Sequence, residues 1–138
     1  MATIEGLRVG DAAEMAKTVT ESDIALFAGV TGDFNPVHVD AVAAEGSMFG
    51  GRIAHGMLSA GFISAVLGMR LPGPGSVYLS QTLRFTKPVR IGDTVTARVE
   101  VVEVIAAKRR VRLATTCRNQ RGETVVDGEA VVMIEQRG

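Results

Sequence analysis

An acid and an imidazole stand close together in Thr31-Gly32-Asp33-Phe34-Asn35-Pro36-Val37-His38. Pro36 disfavours helix at Asn35, so the segment reads as a rigid turn rather than a helix face. Asp33 and His38 can then point into one cleft, with Asn35 tying the turn. A carboxylate beside a histidine suits the addition of water across a double bond. One group takes a proton from water while another supplies one to carbon, and histidine titrates near neutral pH. The same residues also make a good ordinary turn, because Asn and Asp side chains bond their own backbone. On this segment alone that plainer reading comes first.

A second segment, Gly50-Gly51-Arg52-Ile53-Ala54-His55-Gly56-Met57, places glycines just before an apolar run. Glycine lets a backbone approach a ligand closely, and a helix start offers unpaired N–H groups at a positive dipole end. Such a site can hold an oxygen as it gains negative charge. The alternative is that these glycines only allow tight helix packing. His55 reads as a structural histidine that bonds backbone. The chain has 2 histidines, and they fall in these two segments, which favours function.

The elements that must position these groups follow from periodicity. Val9 to Val19 reads as a first strand with a turn near Gly10-Asp11. Thr20 and Asp23 approximate a capping box that starts a helix, with Ile24, Phe27, Ala28 and Val30 at helical spacing and an end near Thr31. Asp40 caps a short helix to Glu45, and Ser47 to Arg52 is a loop. His55 to Met69 reads as a helix buried on nearly all sides, stopped by Leu71-Pro72-Gly73-Pro74-Gly75. Four strands follow: Val77 to Phe85, Thr94 to Ile105, Arg109 to Asn119 and Thr124 to Ile134. Gly128 is expected to be a bulge or kink in the last of them. The layout is α+β, an antiparallel sheet wrapping a helix, in one domain spanning residues 1–138.

Composition removes several classes of function. The 15 basic and 15 acidic residues cancel, which argues against a nucleic-acid binder. Lys108-Arg109-Arg110 with Arg112 reads as the solvated face of a strand pair. Cys117 is the only cysteine, so no internal disulfide forms, and a reducing cytoplasm with a buried, inert thiol is expected. No targeting peptide is visible at the start of the chain. The greasiest stretch, Gly56 to Met69, is shorter than the roughly 18 residues a membrane span needs. The histidines and the cysteine lack zinc-ligand spacing, and no glycine fingerprint for a nucleotide is present.

The segment Phe27-Ala28-Gly29-Val30-Thr31-Gly32-Asp33-Phe34-Asn35-Pro36-Val37-His38, followed by Ala44, resembles the hydratase motif of MaoC-like (R)-specific enoyl-CoA hydratases, the hydratase 2 type. Ile53-Ala54-His55-Gly56-Met57-Leu58, Phe85-Thr86-Lys87-Pro88-Val89, Gly92-Asp93-Thr94-Val95 and Gly128-Glu129-Ala130-Val131-Val132 resemble its later blocks. The resemblance spans nearly the whole chain. It implies a hot-dog fold, with a five-stranded antiparallel sheet around the long helix, and a homodimer with thioester tunnels at its interface. It implies hydration of a trans-2-enoyl-CoA to the (R)-3-hydroxyacyl-CoA by a lyase that needs no cofactor and no metal. Asp33 and His38 would be the catalytic pair, the Gly56 N–H the oxyanion donor, and Asn35 the holder of the loop. Ser64 would face the active site, and Leu67 and Val131 would wall the acyl pocket. The compact length is closest to hydratases that feed polyhydroxyalkanoate synthesis. Three alternatives stay open: a dehydratase on acyl carrier protein or another acyl-CoA, a thioesterase, and a non-catalytic acyl-CoA binder. Arg84, Lys87 and Lys108 to Arg110 are the surface charges available to coenzyme A phosphates.

Overall fold

The structure, a computed structural model, describes residues 1–136. Its elements are β1 (Ala12–Thr18), α1 (Glu21–Thr31), α2 (Pro36–Val39), α3 (Ala41–Glu45), α4 (Gly56–Met69), β2 (Ser76–Phe85), β3 (Thr94–Ile105), β4 (Arg110–Arg118) and β5 (Thr124–Ile134). The strands form one 5-stranded antiparallel sheet in the order β1-β3-β4-β5-β2. The sheet curls around α4, which touches every strand of it, giving the hot-dog arrangement.

Local chemistry sets most boundaries. Thr20 Oγ1 accepts the Asp23 N–H at 3.2 Å while Asp23 Oδ2 accepts the Thr20 N–H at 2.9 Å, completing the expected capping box. Gly32 closes α1 at φ 82°, a left-handed turn that glycine adopts without strain. The first strand starts at Ala12, not Val9, because Gly10 turns the chain at φ 95° just before it. In β3, Val95, Ala97, Val99 and Val101 are fully buried, so alternation marks the inward face. In α1, Ile24 and Ala28 are buried, whereas Val30 is 85% exposed, one position off the inward stripe.

Helix α4 departs from the expectation of burial on nearly all sides. Ser59, Ala60, Ile63, Val66 and Leu67 face the sheet and are buried. Met57, Gly61, Ser64 and Gly68 lie on the opposite face and are exposed, because the sheet wraps only one side of the helix. The buried stripe joins one hydrophobic core with the inward residues of all five strands. Each fully buried aliphatic side chain there contributes roughly 1.5–3 kcal/mol.

Gly128 is not a bulge. Its register runs unbroken opposite Thr115 on β4 and Leu83 on β2, and the shifts fall elsewhere, between Tyr78 and Ser80, Val101 and Glu103, and Cys117 and Arg118. Glycine is required because a Cβ there would lie 1.8 Å from the Thr82 carbonyl oxygen.

Cys117 is fully buried against α4, and burial pushes its thiol up to about 12. It should not react with a thiol reagent at pH 8 in the folded protein and should react fully in denaturant. Native-state labelling at the free-thiol rate would contradict this.

A polar cluster fastens the β2–β3 turn to the β4–β5 hairpin. Buried Asp93 accepts the Arg90 N–H at 2.9 Å and a Gln120 Nε2–H at 2.8 Å. Burial alone would raise its carboxyl, but these bonds and the nearby Arg121 and Arg90 charges lower it overall. Glu123 bonds Lys87, Arg121 and Asn119, which hold it down to about 2. Both carboxyls are depressed in the fold. Their stabilisation is therefore complete above the ordinary carboxylate range and is lost as pH falls through it towards about 2. The thermal midpoint should fall between pH 5 and pH 2.5, and Asp93→Asn should flatten that fall. An identical acid profile in the variant would contradict the assignment. Glu123 is at the surface, so salt should weaken its share.

Candidate active site

The turn before α2 is built by its own side chains. The Asn35 N–H donates to Asp33 Oδ1 at 3.1 Å, and Asn35 Oδ1 accepts the Val37 N–H at 3.1 Å as the cap of α2. Pro36 occupies the first helical position, where its missing N–H costs nothing. One oxygen of Asp33 is thus tied to the loop, and the carboxylate is oriented. His38 is the third residue of this single turn and is 9% exposed. Its Nδ1 donates to the Ile53 carbonyl at 2.7 Å. That carbonyl only accepts, so Nδ1 carries the proton and Nε2 presents a lone pair.

Arg52 fixes the same turn from outside. Its Nε donates to the His38 carbonyl at 2.6 Å, and its Nη1 reaches both Glu21 carboxylate oxygens at 2.9 and 3.0 Å. His55 stands at the start of α4 and bonds the Asp33 carbonyl through Nε2 at 2.9 Å. This is the backbone-bonding role expected of it, with an added feature: its ring stacks on His38 at 3.9 Å between centroids.

One ligating atom each from Asp33, His38 and His55 lie within 4.8 Å of one another. The two imidazoles are tilted by only 29°. A water making two hydrogen bonds of about 2.8 Å near the tetrahedral angle spans about 4.6 Å, which falls inside that 4.8 Å limit. A cavity of about 290 Å³ opens here, lined by Phe27, Thr31, Asp33, His38, His55, Gly56 and Met57.

Gly56 opens α4, where the first N–H groups have no acceptor within the helix. The Phe85 ring of β2 sits directly over it, and a Cβ on Gly56 would lie 2.5 Å from that ring. Tight packing and a free amide are therefore both served by this glycine. A larger, mostly apolar cavity of about 480 Å³ adjoins the first and shares His38, Gly56 and Met57 with it; Met48, Phe49, Ile53, Phe85, Val89 and Val125 are among its other walls. A carboxylate, an imidazole, a helix-start amide and an apolar cavity thus meet in one place.

Residues 9–122 match the MaoC-like domain. The chain belongs to the MaoC-like domain family. It is 55% identical over 134 residues to an (R)-specific enoyl-CoA hydratase of Rhodospirillum rubrum, covering 97% of this chain and 92% of that protein. It is 53% identical over 133 residues to a 3-hydroxybutyryl-CoA dehydratase of Methylorubrum extorquens, covering 96% of this chain and 84% of that protein. The structure superposes with a TM-score of 0.91 on an (R)-hydratase from A. caviae involved in PHA biosynthesis, at 43% identity, covering 94% of this chain and 98% of the other.

Within this MaoC-like chain, Asp33, Asn35, His38 and Gly56 gather at the start of α4. Ser64 and Leu67 do not join them. They line a separate cavity of about 220 Å³ with Gly68, Ser76, Tyr78 and Val132. Ser64 is eight residues from Gly56, about 12 Å along a helix axis in the same chain. Val131 departs from its expected place on the acyl wall. It is only half-buried on the outer side of β5, while Val132 faces the core and lines this cavity. The alternation of a strand makes the two neighbours face opposite ways. Of the candidate phosphate contacts, Arg84 pairs with Asp127, Lys87 with Glu123, and Arg109 with the Ile134 carbonyl. Arg112, expected on a solvated face, bridges Glu103 and Glu129 across neighbouring strands. The clamp of Arg52, the Ile53 acceptor and the cover of Phe85 leave no local sequence signal, because each links segments far apart in the chain.

Proposed function

We propose that this MaoC-like chain is an (R)-specific enoyl-CoA hydratase that converts a trans-2-enoyl-CoA to the (R)-3-hydroxyacyl-CoA and runs in reverse as a dehydratase. The observation that carries the reading is the convergence of Asp33 and His38 within 4.8 Å beside the free end of α4. The names and high identity of the full-length relatives support the substrate class.

The mechanism follows from the groups present. The thioester carbonyl accepts a hydrogen bond from the Gly56 N–H, which draws electron density from the conjugated double bond and makes C3 electrophilic. Water held between the Asp33 carboxylate and His38 Nε2 gives up a proton and attacks C3. The electrons pass through C2 to the thioester oxygen, giving an enolate held by the Gly56 amide and the dipole of α4. A proton returned to C2 from the same side completes the addition. Asn35 keeps the carboxylate aimed. The thioester itself spreads the charge, so this scheme uses no cofactor and no metal.

The active unit proposed is a homodimer. Two features support it: the edge strand β2 exposes Val77, Tyr78 and Leu79, and the apolar outer face of α4 lacks a cover in the single chain. A cytoplasmic setting fits the lone buried thiol, and no described helix is long and apolar enough to cross a membrane. A role in supplying (R)-3-hydroxyacyl-CoA for polyhydroxyalkanoate synthesis is proposed from the resemblance and from the A. caviae enzyme.

The test is the loss of enoyl-thioester absorbance on crotonyl-CoA and longer enoyl-CoAs, with chiral analysis of the product. The (R)-3-hydroxyacyl-CoA is expected. Release of free thiol would mark a thioesterase, and binding without turnover would mark a non-catalytic subunit; either overturns the proposal.

A further inference from the structure

We infer that His55 is a positioning residue that holds both members of the Asp33–His38 pair in register, an inference that rests on the hydratase reading. His55 stands at the N-cap of α4 yet makes no side-chain cap bond, although capping is the ordinary use of a polar residue there. It turns its Nε2–H to the Asp33 carbonyl instead, at 2.9 Å. A carbonyl only accepts, so the proton sits on Nε2 and the lone pair on Nδ1. That Nδ1 is buried with no hydrogen-bond partner, in a residue only 2% exposed. A buried acceptor without a donor opposes folding. A histidine kept only to tie a backbone carbonyl has no use for it.

The ring supplies the missing reason. Phe27, His55 and His38 form a ring cluster: Phe27 packs tilted on His55 with centroids 4.7 Å apart, and His38 stacks on His55 at 3.9 Å. His38 is held by one hydrogen bond, from Nδ1 to the Ile53 carbonyl. A ring pinned at one atom can still swing about that bond. The His55 face blocks the swing and keeps Nε2 directed at the Asp33 side. The same ring holds the Asp33 backbone through Nε2–H. One side chain therefore sets the positions of both reacting groups; its ring borders their cavity, but Nε2 is committed to the Asp33 carbonyl and Nδ1 is buried, so neither nitrogen is offered to the water. When His38 takes a proton, its transient positive charge lies against the face of a second aromatic ring.

Two variants divide these functions. His55→Phe keeps the ring cluster and loses the hydrogen bond; His55→Gln keeps a donor near Nε2 and loses the ring. Each is assayed on crotonyl-CoA for kcat and KM, and for binding of unreactive butyryl-CoA by calorimetry. Misplacing reacting groups by about 1 Å costs about 10²-fold, so kcat should fall by about that factor in both, with KM and butyryl-CoA affinity unchanged. In an Asp33→Asn background, His55→Phe should cost little more, because the pair it positions is already broken. A purely structural histidine predicts the opposite: a lower melting temperature with near-normal kcat per folded site, and full additivity with Asp33→Asn. That pattern overturns the inference, and either variant suffices if the other does not fold. An inactive wild-type protein would overturn the hydratase reading as well; an active wild type with active variants overturns this inference alone.

Discussion

Replacing Asp33 by Asn should lower kcat for crotonyl-CoA hydration by about 10²–10⁴-fold, the usual worth of a positioned acid–base group. Asparagine keeps the shape of the side chain and an oxygen for the Asn35 N–H, which Asp33 Oδ1 accepts at 3.1 Å. What it removes is the ability to take a proton from water. The loss, about 3–5 kcal/mol of barrier at 1.36 kcal/mol per decade, should therefore fall on kcat with little change in KM. His38→Gln should lose a similar amount, since His38 Nε2 is the other contact proposed for the water. The double variant should be scarcely slower than either single one, because groups that act on one water fail together. Steady-state kinetics with circular dichroism on each variant make the check. A folded Asp33→Asn protein with near-normal turnover would reject the mechanism.

The second large effect concerns the scaffold. Gly128→Ala puts a Cβ 1.8 Å from the Thr82 carbonyl oxygen and 2.7 Å from its carbon. Both atoms are backbone, so no rotamer change relieves the clash and β2 must move off β5. Overpacking usually costs about 1–3 kcal/mol, and a backbone-on-backbone case belongs at or above that range. The melting temperature should fall by roughly 10 °C or more. Because β2 is an edge strand and carries Phe85 over Gly56, activity should fall with stability. Gly29→Ala is the matched control. It lies inside α1, nothing is within 4 Å of its added methyl, and a helical Gly-to-Ala change gains roughly 0.5–1 kcal/mol. Opposite signs at the two glycines would establish that contact, not glycine content, decides. Equal small effects would contradict the close approach at Gly128.

What the sequence makes legible here is what is local. Thr20 with Asp23, Asp40 before α3 and the alternating valines of β3 carry their signals within a few residues, and those boundaries hold. The start of the Asp33–His38 turn is local as well, since the Asn35 and Asp33 side chains bond its own backbone, although Arg52, Ile53 and His55 fasten it from farther along the chain. Other features depend on partners far along the chain. Ala130 to Ile134 is apolar throughout, so no alternation tells Val131 from Val132, and only the fold assigns Val132 to the inner face. The run from Gly56 to Met69 is equally uniform, which hid the fact that one face of α4 is left uncovered. Gly128 is a glycine for the sake of Thr82, 46 positions away, and no periodicity records that.

The central claim is geometric, and a crystal structure of the Asp33→Asn variant soaked with crotonyl-CoA tests it most directly. The account predicts the thioester oxygen within hydrogen-bond distance of the Gly56 nitrogen, with C3 facing a water lodged between residues 33 and 38. A thioester bound elsewhere, or a C3 turned away from both side chains, would contradict it.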